Sequence, residues 1–178
     1  MAKNKKAENK KTATEKVNIE IPFEPNKNQT YIIYFSIAAL SVLLAVVYLI
    51  SANSVNGYNG FPLDDPWIHL TFAKNLSEYG SFSYFKNEMS TAGSTSPIYT
   101  MILAVGFLIT KNEMLLSYTL GIIFLGLSGI WFYRLSSFEF SRENIFALAC
   151  TAIFIRDKWM NFSADSGMET TRFVFLLL

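Results

Sequence analysis

Charged side chains are scarce in this sequence, and cysteine is almost absent. Asp, Glu, Lys and Arg together make up 16% of the 178 residues, against roughly 25% in an average soluble domain. Hydrophobic residues reach 51% and aromatic residues 16%. The single cysteine, Cys150, lies in an apolar run and has no second cysteine to pair with, which excludes a disulfide-stabilised scaffold. This composition is typical of a membrane protein.

Positive charge is concentrated at the N-terminus, although the formal net charge of the chain is only +1. Seven of the fifteen Lys and Arg residues lie in the first 27 positions, within a stretch that lacks apolar periodicity. We therefore predict a disordered basic tail over residues 1–30. Residues 31–52 carry no charge and are long enough to cross a hydrocarbon core of about 30 Å. Because Lys-rich flanks stay inside, the tail is predicted to be cytoplasmic and residue 53 onward external.

Three further apolar runs determine the predicted topology. The run 97–110 has only 14 residues, a length that favours an interfacial helix over a membrane span. Spans are predicted over 113–134 and 143–160, which returns the loop 161–171 to the outer face. Residues 172–178 resemble the start of another span, so we expect the chain to be part of a longer protein.

This topology has a consequence for function. The outer loop at 53–112 and the outer loop at 161–171 both contain acidic residues and lie on the same side of the membrane. If 97–110 crossed the membrane instead, the two loops would lie on opposite sides and could not form one site.

An acidic pair, Asp64-Asp65, lies at a predicted helix start in the first outer loop. Asp65 is in the position of an N-cap, Pro66 in that of the first helical residue, and Gly80 in that of a C-terminal stop. The helix is predicted over about 66–79, on the bilayer surface with its apolar stripe towards lipid. Asp64 has no such structural role, and adjacent carboxylates suit general-base chemistry or cation binding. The alternative for Asp65 is a cap and nothing more.

Two other features of this loop are candidates for substrate contact. His69 follows Asp65 by four residues, which places both on one helix face; it is either a ligand-contacting residue or an ordinary satisfied polar residue. The stretch 90–97 is rich in small residues and predicts a loop followed by a second interfacial helix with Ser96 as N-cap. Thr95 and Ser96 are candidates because a sugar or phosphate can approach the backbone of such a loop. The alternative is a plain turn.

Three short motifs occur in order along the chain. They are Asp-Asp-Pro-Trp-Ile-His-Leu-Thr-Phe-Ala-Lys-Asn-Leu at 64–76, Thr-Ser-Pro at 95–97 and Ser-Gly-Met-Glu-Thr at 166–170. Together they resemble the N-terminal module of GT-C membrane glycosyltransferases, in particular the branch with bacterial arabinofuranosyl- and mannosyltransferases. The resemblance covers about residues 31–178. It implies an all-α, polytopic transmembrane enzyme that transfers a sugar from a polyprenyl-phosphate carrier to an external acceptor, usually with inversion.

The resemblance also implies roles for individual residues. An acid of the first outer loop, Asp64 or Asp65, would be the base that deprotonates the acceptor hydroxyl. Glu169 corresponds to the second-loop acid of the family, in a supporting or metal-positioning role. A divalent cation is thus left open, although no metal ligand is assigned.

The lipid phosphate of such a donor needs cationic partners. Three cations flank the second acidic loop and are candidates: Arg156, Lys158 and Arg172. Charges at helix ends are equally suited to anchoring the helices at the membrane interface, which is the alternative.

The leading hypothesis is therefore a glycosyltransferase of the cell (inner) membrane, multi-pass, with its site facing outside. Its expected partners are a lipid-linked sugar donor, a glycan, lipid or protein acceptor, and the bilayer, with no nucleic acid. The alternative is a non-catalytic membrane protein: a transporter, a lipid-binding protein or a scaffold relative. A transporter would carry charged residues within its spans, and the runs 31–52 and 114–133 contain none.

Overall fold

The computed structural model describes residues 26–57, 60–139 and 144–178. These residues form seven α-helices and no strands, which confirms the predicted all-α class for this part of the chain. The helices are α1 (Lys27–Asn56), α2 (Asp65–Tyr79), α3 (Pro97–Phe107), α4 (Glu113–Glu139), α5 (Asn144–Arg156), α6 (Lys158–Asp165) and α7 (Thr170–Leu177).

The first helix is longer than the apolar run that predicts it. It begins at Lys27, so the last residues of the predicted tail are helical, whereas residues 1–25 lie outside the described residues. The side chain of Gln29 accepts a hydrogen bond of 3.3 Å from the backbone N–H of Asn26, at a helix end where backbone donors lack helical partners. The helix ends at Gly57, whose φ of 75° lies in the left-handed region. Glycine adopts this conformation with little conformational strain because it has no Cβ.

Two helices are long and apolar enough to cross a membrane, namely α1 with 30 residues and α4 with 27. They pack against each other, and α1 buries only a narrow stripe at four-residue spacing, made by Ile37, Ser41 and Ala45. Its other faces are apolar and uncovered; the side chain of Phe35, for example, is 76% exposed. A large exposed apolar surface marks contact with lipid or with another protein. These two helices support the prediction of membrane association.

The shorter predicted segments have different boundaries in the structure. α3 ends at Phe107, because the N–H groups of Ile109 and Thr110 both turn back to the carbonyl of Gly106. The predicted span 143–160 consists of two helices, α5 and α6. They are separated at Asp157, whose backbone is extended (φ −55°, ψ 131°) and whose carboxylate caps α6. The cap lies in the charged triplet Arg156-Asp157-Lys158, which interrupts the apolar residues of the predicted span.

The second helix packs against α3 and contributes to a protein core. Leu70 and Ala73 of α2 lie in one apolar cluster with Leu103 and Phe107 of α3. Phe72 belongs to the apolar stripe predicted to face lipid, but it is 1% exposed and packs against Phe82 and Tyr84, so the prediction is wrong for this residue. This packing places the start of α2 beside the loop that precedes α7.

The backbones of α4 and α6 approach closely at Gly121. A Cβ added to Gly121 would collide with the carbonyl oxygen of Ala164, and a backbone atom cannot move aside as a side chain can. We expect Gly121→Ala to destabilise the protein by about 1–3 kcal/mol, the usual range for overpacking. Thermal unfolding in detergent measures this change.

Gly126, on the same helix, provides the matched control. A Cβ there would meet no atom closer than 3.9 Å, so Gly126→Ala should be neutral or stabilise by up to about 1 kcal/mol through helix propensity. Equal effects of the two substitutions would contradict the close approach of α4 and α6.

Candidate functional site

The acidic pair lies at the exposed start of α2. The helix begins at Asp65, so Asp64 and not Asp65 takes the N-cap position, and the N-cap prediction for Asp65 is wrong. Asp64 already has helical dihedral angles (φ −87°, ψ −28°), which differ from the extended geometry of a capping residue, and its side chain makes no cap hydrogen bond. Gly80 ends the helix as predicted, with φ of 68°. Both carboxylates are exposed and thus accessible to a ligand.

One turn further along α2, His69 joins the two acidic loops. Its side chain is 1% exposed. Nε2 lies 3.3 Å from Oε2 of Glu169, within ion-pairing distance but not aligned as a hydrogen bond. On the other side of the ring, Nδ1 lies 3.0 Å from Oγ of Ser94 in the small-residue loop. The first and second acidic loops therefore meet at this residue.

The polar chain continues from His69 into α3. Oγ of Ser94 lies 2.7 Å from Oγ1 of Thr100, and Thr100 in turn donates to the carbonyl of Ser96 or to Ser94. Suppose that the His69 proton is on Nε2, facing the Glu169 carboxylate. Nδ1 then accepts a hydrogen bond from the Ser94 hydroxyl, and that hydroxyl accepts one from the Thr100 hydroxyl. The hydroxyls can thus fix which ring nitrogen carries the proton.

Burial lowers the pKa of His69 below its usual 6.5, and the charge of Arg172 lowers it further. The charges of Glu169 and Asp65 act in the opposite direction but do not reverse the shift. The imidazole is therefore neutral near pH 7, and the Glu169 carboxylate lies beside it at 3.3 Å. The negative charge of Asp65 acts on the pKa of His69. The exposed Asp65 is thus electrostatically linked to the pair formed by His69 and Glu169.

Tyr99 and Arg172 form the other half of the junction. The phenol of Tyr99 donates a 2.9 Å hydrogen bond to the carbonyl of Gly167. The guanidinium carbon of Arg172 lies 3.0 Å from the centroid of the Tyr99 ring, and Nη2 donates to the carbonyl of Met168. Burial raises the pKa of Tyr99, so it stays a neutral donor. These contacts fix the second loop against α3.

Arg172 is 5% exposed, yet Nε and Nη1 have no hydrogen-bond partner among the described residues. Buried N–H groups of a cation are costly to leave unpaired. The guanidinium lines a cavity of about 280 Å³ between α3, α4 and α7, together with Glu169 and Ser96. The remaining wall is mostly apolar: Ile98, Ile102, Phe124, Phe173 and Leu176, with Tyr99 at its polar end. This cavity combines a buried cation that has unpartnered N–H groups with a mostly apolar wall.

Comparison with known proteins gives no relative. No protein-family model, no curated protein and no solved structure matches this chain.

Of the other predicted site residues, Thr95, Arg156 and Lys158 do not line the cavity at Arg172, whereas Ser96 does. Thr95 is exposed, and Ser96 is half-buried at the N-cap position of α3, as predicted, without a side-chain cap hydrogen bond. Arg156 and Lys158 are exposed on either side of the α5–α6 break, and Lys158 lies over the ring of Trp159. Neither residue lines the cavity at Arg172. Of the three candidate cations, only Arg172 is buried and lines this cavity.

Sequence reasoning missed Ser94, Tyr99 and Thr100 as parts of the site. Ser94 belongs to the small-residue loop, but the Thr-Ser-Pro motif begins at the next residue, so Thr95 and Ser96 were selected as candidates in its place. Tyr99 and Thr100 belong to an apolar helix, in which an aromatic or hydroxyl residue is ordinarily attributed to packing. No signal in a single sequence distinguishes these roles.

Over 26–57, 60–139 and 144–178, no three His, Cys, Asp or Glu side chains come together as ligands for one ion. Glu169 faces His69, and its charge acts on the buried Arg172.

Proposed function

We propose that this chain carries the catalytic part of a membrane glycosyltransferase that moves a sugar from a polyprenyl-phosphate carrier to an acceptor on the outer face, with inversion. The observation that carries the proposal is the contact of two of the sequence motifs at His69, beside the small-residue loop that precedes the third. The motif 64–76 supplies His69, the small-residue loop before α3 supplies Ser94, and the motif 166–170 supplies Glu169, at 3.0 and 3.3 Å from the ring.

The proposal includes a multi-pass arrangement in the cell membrane, with the N-terminus in the cytoplasm. In this arrangement α1 and α4 cross the bilayer, α3 stays on the outer face, and α5 with α6 returns the chain to that face. The 11 residues of α3 support that placement, since a helix of this length extends only about 17 Å. The contact between His69 and Glu169 supports it too, because the two loops must share one side to touch.

The cavity at Arg172 supports the choice of a lipid-phosphate donor. Arg172 offers a buried positive charge, and its Nε and Nη1 lack hydrogen-bond partners and are free to donate to phosphate oxygens. The apolar wall offered by α3, α4 and α7 suits the first isoprene units of the lipid. Negative charge develops on the phosphate oxygen as the bond to the sugar breaks, and Arg172 would stabilise that charge.

The exposed acids supply the base. In the proposed step, Asp64 or Asp65 removes the proton of the acceptor hydroxyl as its oxygen attacks the anomeric carbon. The bond from that carbon to the phosphate oxygen breaks, and its electron pair leaves with polyprenyl phosphate. Attack from the face opposite to the leaving group inverts the anomeric configuration. Asp65 is the acid that is electrostatically linked to His69, and His69 lies beside Glu169 at the proposed donor cavity.

Glu169 and His69 act as positioning residues in this scheme. The neutral imidazole holds the Glu169 side chain at the mouth of the Arg172 cavity, where Glu169 is half-buried. A carboxylate beside the sugar can accept hydrogen bonds from ring hydroxyls and orient the anomeric carbon.

The test is transfer by membranes that carry the full-length protein. They are offered radiolabelled polyprenyl-phosphate mannose or polyprenyl-phosphate arabinofuranose, and the anomeric configuration of the product is determined by NMR. We expect label in a glycan, lipid or protein product with inverted configuration from one of the donors. Transfer no greater than in membranes lacking the protein would contradict the proposal.

A further inference from the structure

A second cavity lies on the other side of the acidic loop, away from Arg172. It has a volume of about 410 Å³ and lies between the C-terminal part of α1, the segment 60–62 and the end of α6. Its polar lining residues are Tyr48, Asn56, Asp165 and Ser166. None of these residues has a part in the transfer scheme.

Asp165 is the unusual member of this lining. Its side chain is 4% exposed, and neither carboxylate oxygen has a hydrogen-bond partner among the described residues. Burial raises the pKa of Asp165 from 3.8 to about 7. A buried carboxylate is normally paired with a cation or with several N–H donors, because leaving it unpaired is costly.

The electrostatic neighbours of Asp165 do not supply the missing partner. The titratable side chains coupled to it in the described residues are the phenols of Tyr48 on α1 and Tyr118 on α4. Both are uncharged near neutral pH. No charged side chain in the described part of α5, α6 and α7 shifts the pKa of Asp165. Burial is the cause of its raised pKa.

The remaining wall of the cavity is rich in aromatic rings. Phe61, Phe162 and Tyr48 line it, and Phe61 is fixed by edge contacts with Trp67 and Tyr118 at 5.1 and 5.4 Å between ring centroids. Aromatic faces attract organic cations, and rings arranged around an ammonium group are the best-known use of this attraction. A buried carboxylate beside aromatic rings is the combination of groups that binds an ammonium ion.

We propose that this cavity binds an organic ammonium group, with Asp165 as its counter-ion and the rings of Tyr48, Phe61 and Phe162 as its wall. The ammonium group belongs either to a small free molecule or to a lipid headgroup. The site goes beyond glycosyl transfer and does not depend on it, because its ligand need be neither donor nor acceptor.

The test uses choline and its neutral isostere 3,3-dimethylbutan-1-ol, which differ by the positive charge. Equilibrium dialysis of the full-length protein in detergent measures the retention of each labelled compound. At a pH roughly two units above the pKa of Asp165 we expect choline to bind at least about tenfold more tightly than the isostere. At a pH of roughly 5.5 the carboxyl is protonated, and the preference should fall by about tenfold or more.

A variant pair localises the effect. Asp165→Asn should remove the preference for choline at high pH while keeping the shape of the cavity. Asp157→Asn, an exposed acid that caps the same helix and keeps its cap as Asn, should leave the preference unchanged. Thermal unfolding checks that both variants are folded, and the comparison of choline with its isostere in the unaltered protein needs no variant.

Nanodiscs distinguish the two sources of the ammonium group. Added choline that binds in phosphatidylglycerol discs but not in phosphatidylcholine discs indicates a lipid headgroup, and binding in both indicates a free molecule. Equal retention of choline and its isostere, or an undiminished preference in Asp165→Asn, would overturn the site. Neither result requires a sugar donor, so failure here is distinguishable from failure of the transferase proposal.

Discussion

Replacing Asp64 and Asp65 together with Asn should reduce sugar transfer by about 10²–10⁴-fold, the usual contribution of a general base. The physical reason is that the amide cannot take the proton of the acceptor hydroxyl, whereas the side-chain volume is nearly unchanged. Both residues are exposed and neither makes a cap hydrogen bond that folding requires. The loss should appear in kcat with donor binding unchanged, in the assay with radiolabelled polyprenyl-phosphate sugars.

The single substitutions separate the two acids. Asp65→Asn should also lower the pKa of His69 further, because the charge of Asp65 acts to raise it; the His69 ring signals in NMR report this change. Glu88→Gln, which alters an exposed acid in the same loop, is the control and should leave transfer within about twofold. Unchanged transfer in the double variant would remove the general base from the scheme.

Arg172→Gln should reduce transfer by about 10²–10³-fold, the loss expected when a group that stabilises developing charge is removed. The substitution leaves the phosphate oxygen without a cation in a cavity with a largely apolar wall. Binding of polyprenyl phosphate should weaken strongly, while binding of the uncharged polyprenol should not. A purely structural role for Arg172 would weaken both alike. Arg172→Lys keeps the charge but not the forked donor geometry, so we expect partial activity.

Lys158→Gln is the matched control for Arg172. Lys158 is an exposed cation that follows the α5–α6 break and does not line the cavity, so its loss should change transfer by no more than about twofold. A loss equal to that of Arg172→Gln would show that phosphate binding is spread over the second loop. Size-exclusion profiles and thermal unfolding establish that each variant is folded.

Patterns that depend on local chain chemistry predicted the helices well. The apolar run at 31–52, the Pro and Gly that bracket α2, and Pro97 at the start of α3 each correspond to a helix or its end in the structure. These signals act through nearby residues, so a sequence displays them directly. The cap at Asp157 is equally local, and the prediction of one span over 143–160 passed over the charged triplet Arg156-Asp157-Lys158 that marks the break between α5 and α6.

Tertiary contacts account for what the sequence could not predict. His69 is buried because α2 packs on α3, and the face of α2 that meets α3 cannot be chosen from the periodicity of α2 alone. Arg172 and Lys158 are similar in type and position relative to the acidic loop, yet only Arg172 turns inwards, onto Tyr99. Asp165 was part of the predicted second acidic loop, but its burial without a partner depends on the junction of α1 with α6.

The central claim is that both acidic loops meet on the outer face of the membrane. Single cysteines at Ser90, Asn112, Thr170 or Glu139, all exposed, are introduced into a Cys150→Ser background. Each is then treated in intact cells with a membrane-impermeant maleimide. We predict labelling at Ser90, Asn112 and Thr170, and labelling at Glu139 only after the membrane is permeabilised. If Ser90 is labelled in intact cells but Asn112 and Thr170 only after permeabilisation, α3 crosses the membrane and the single-site account is wrong.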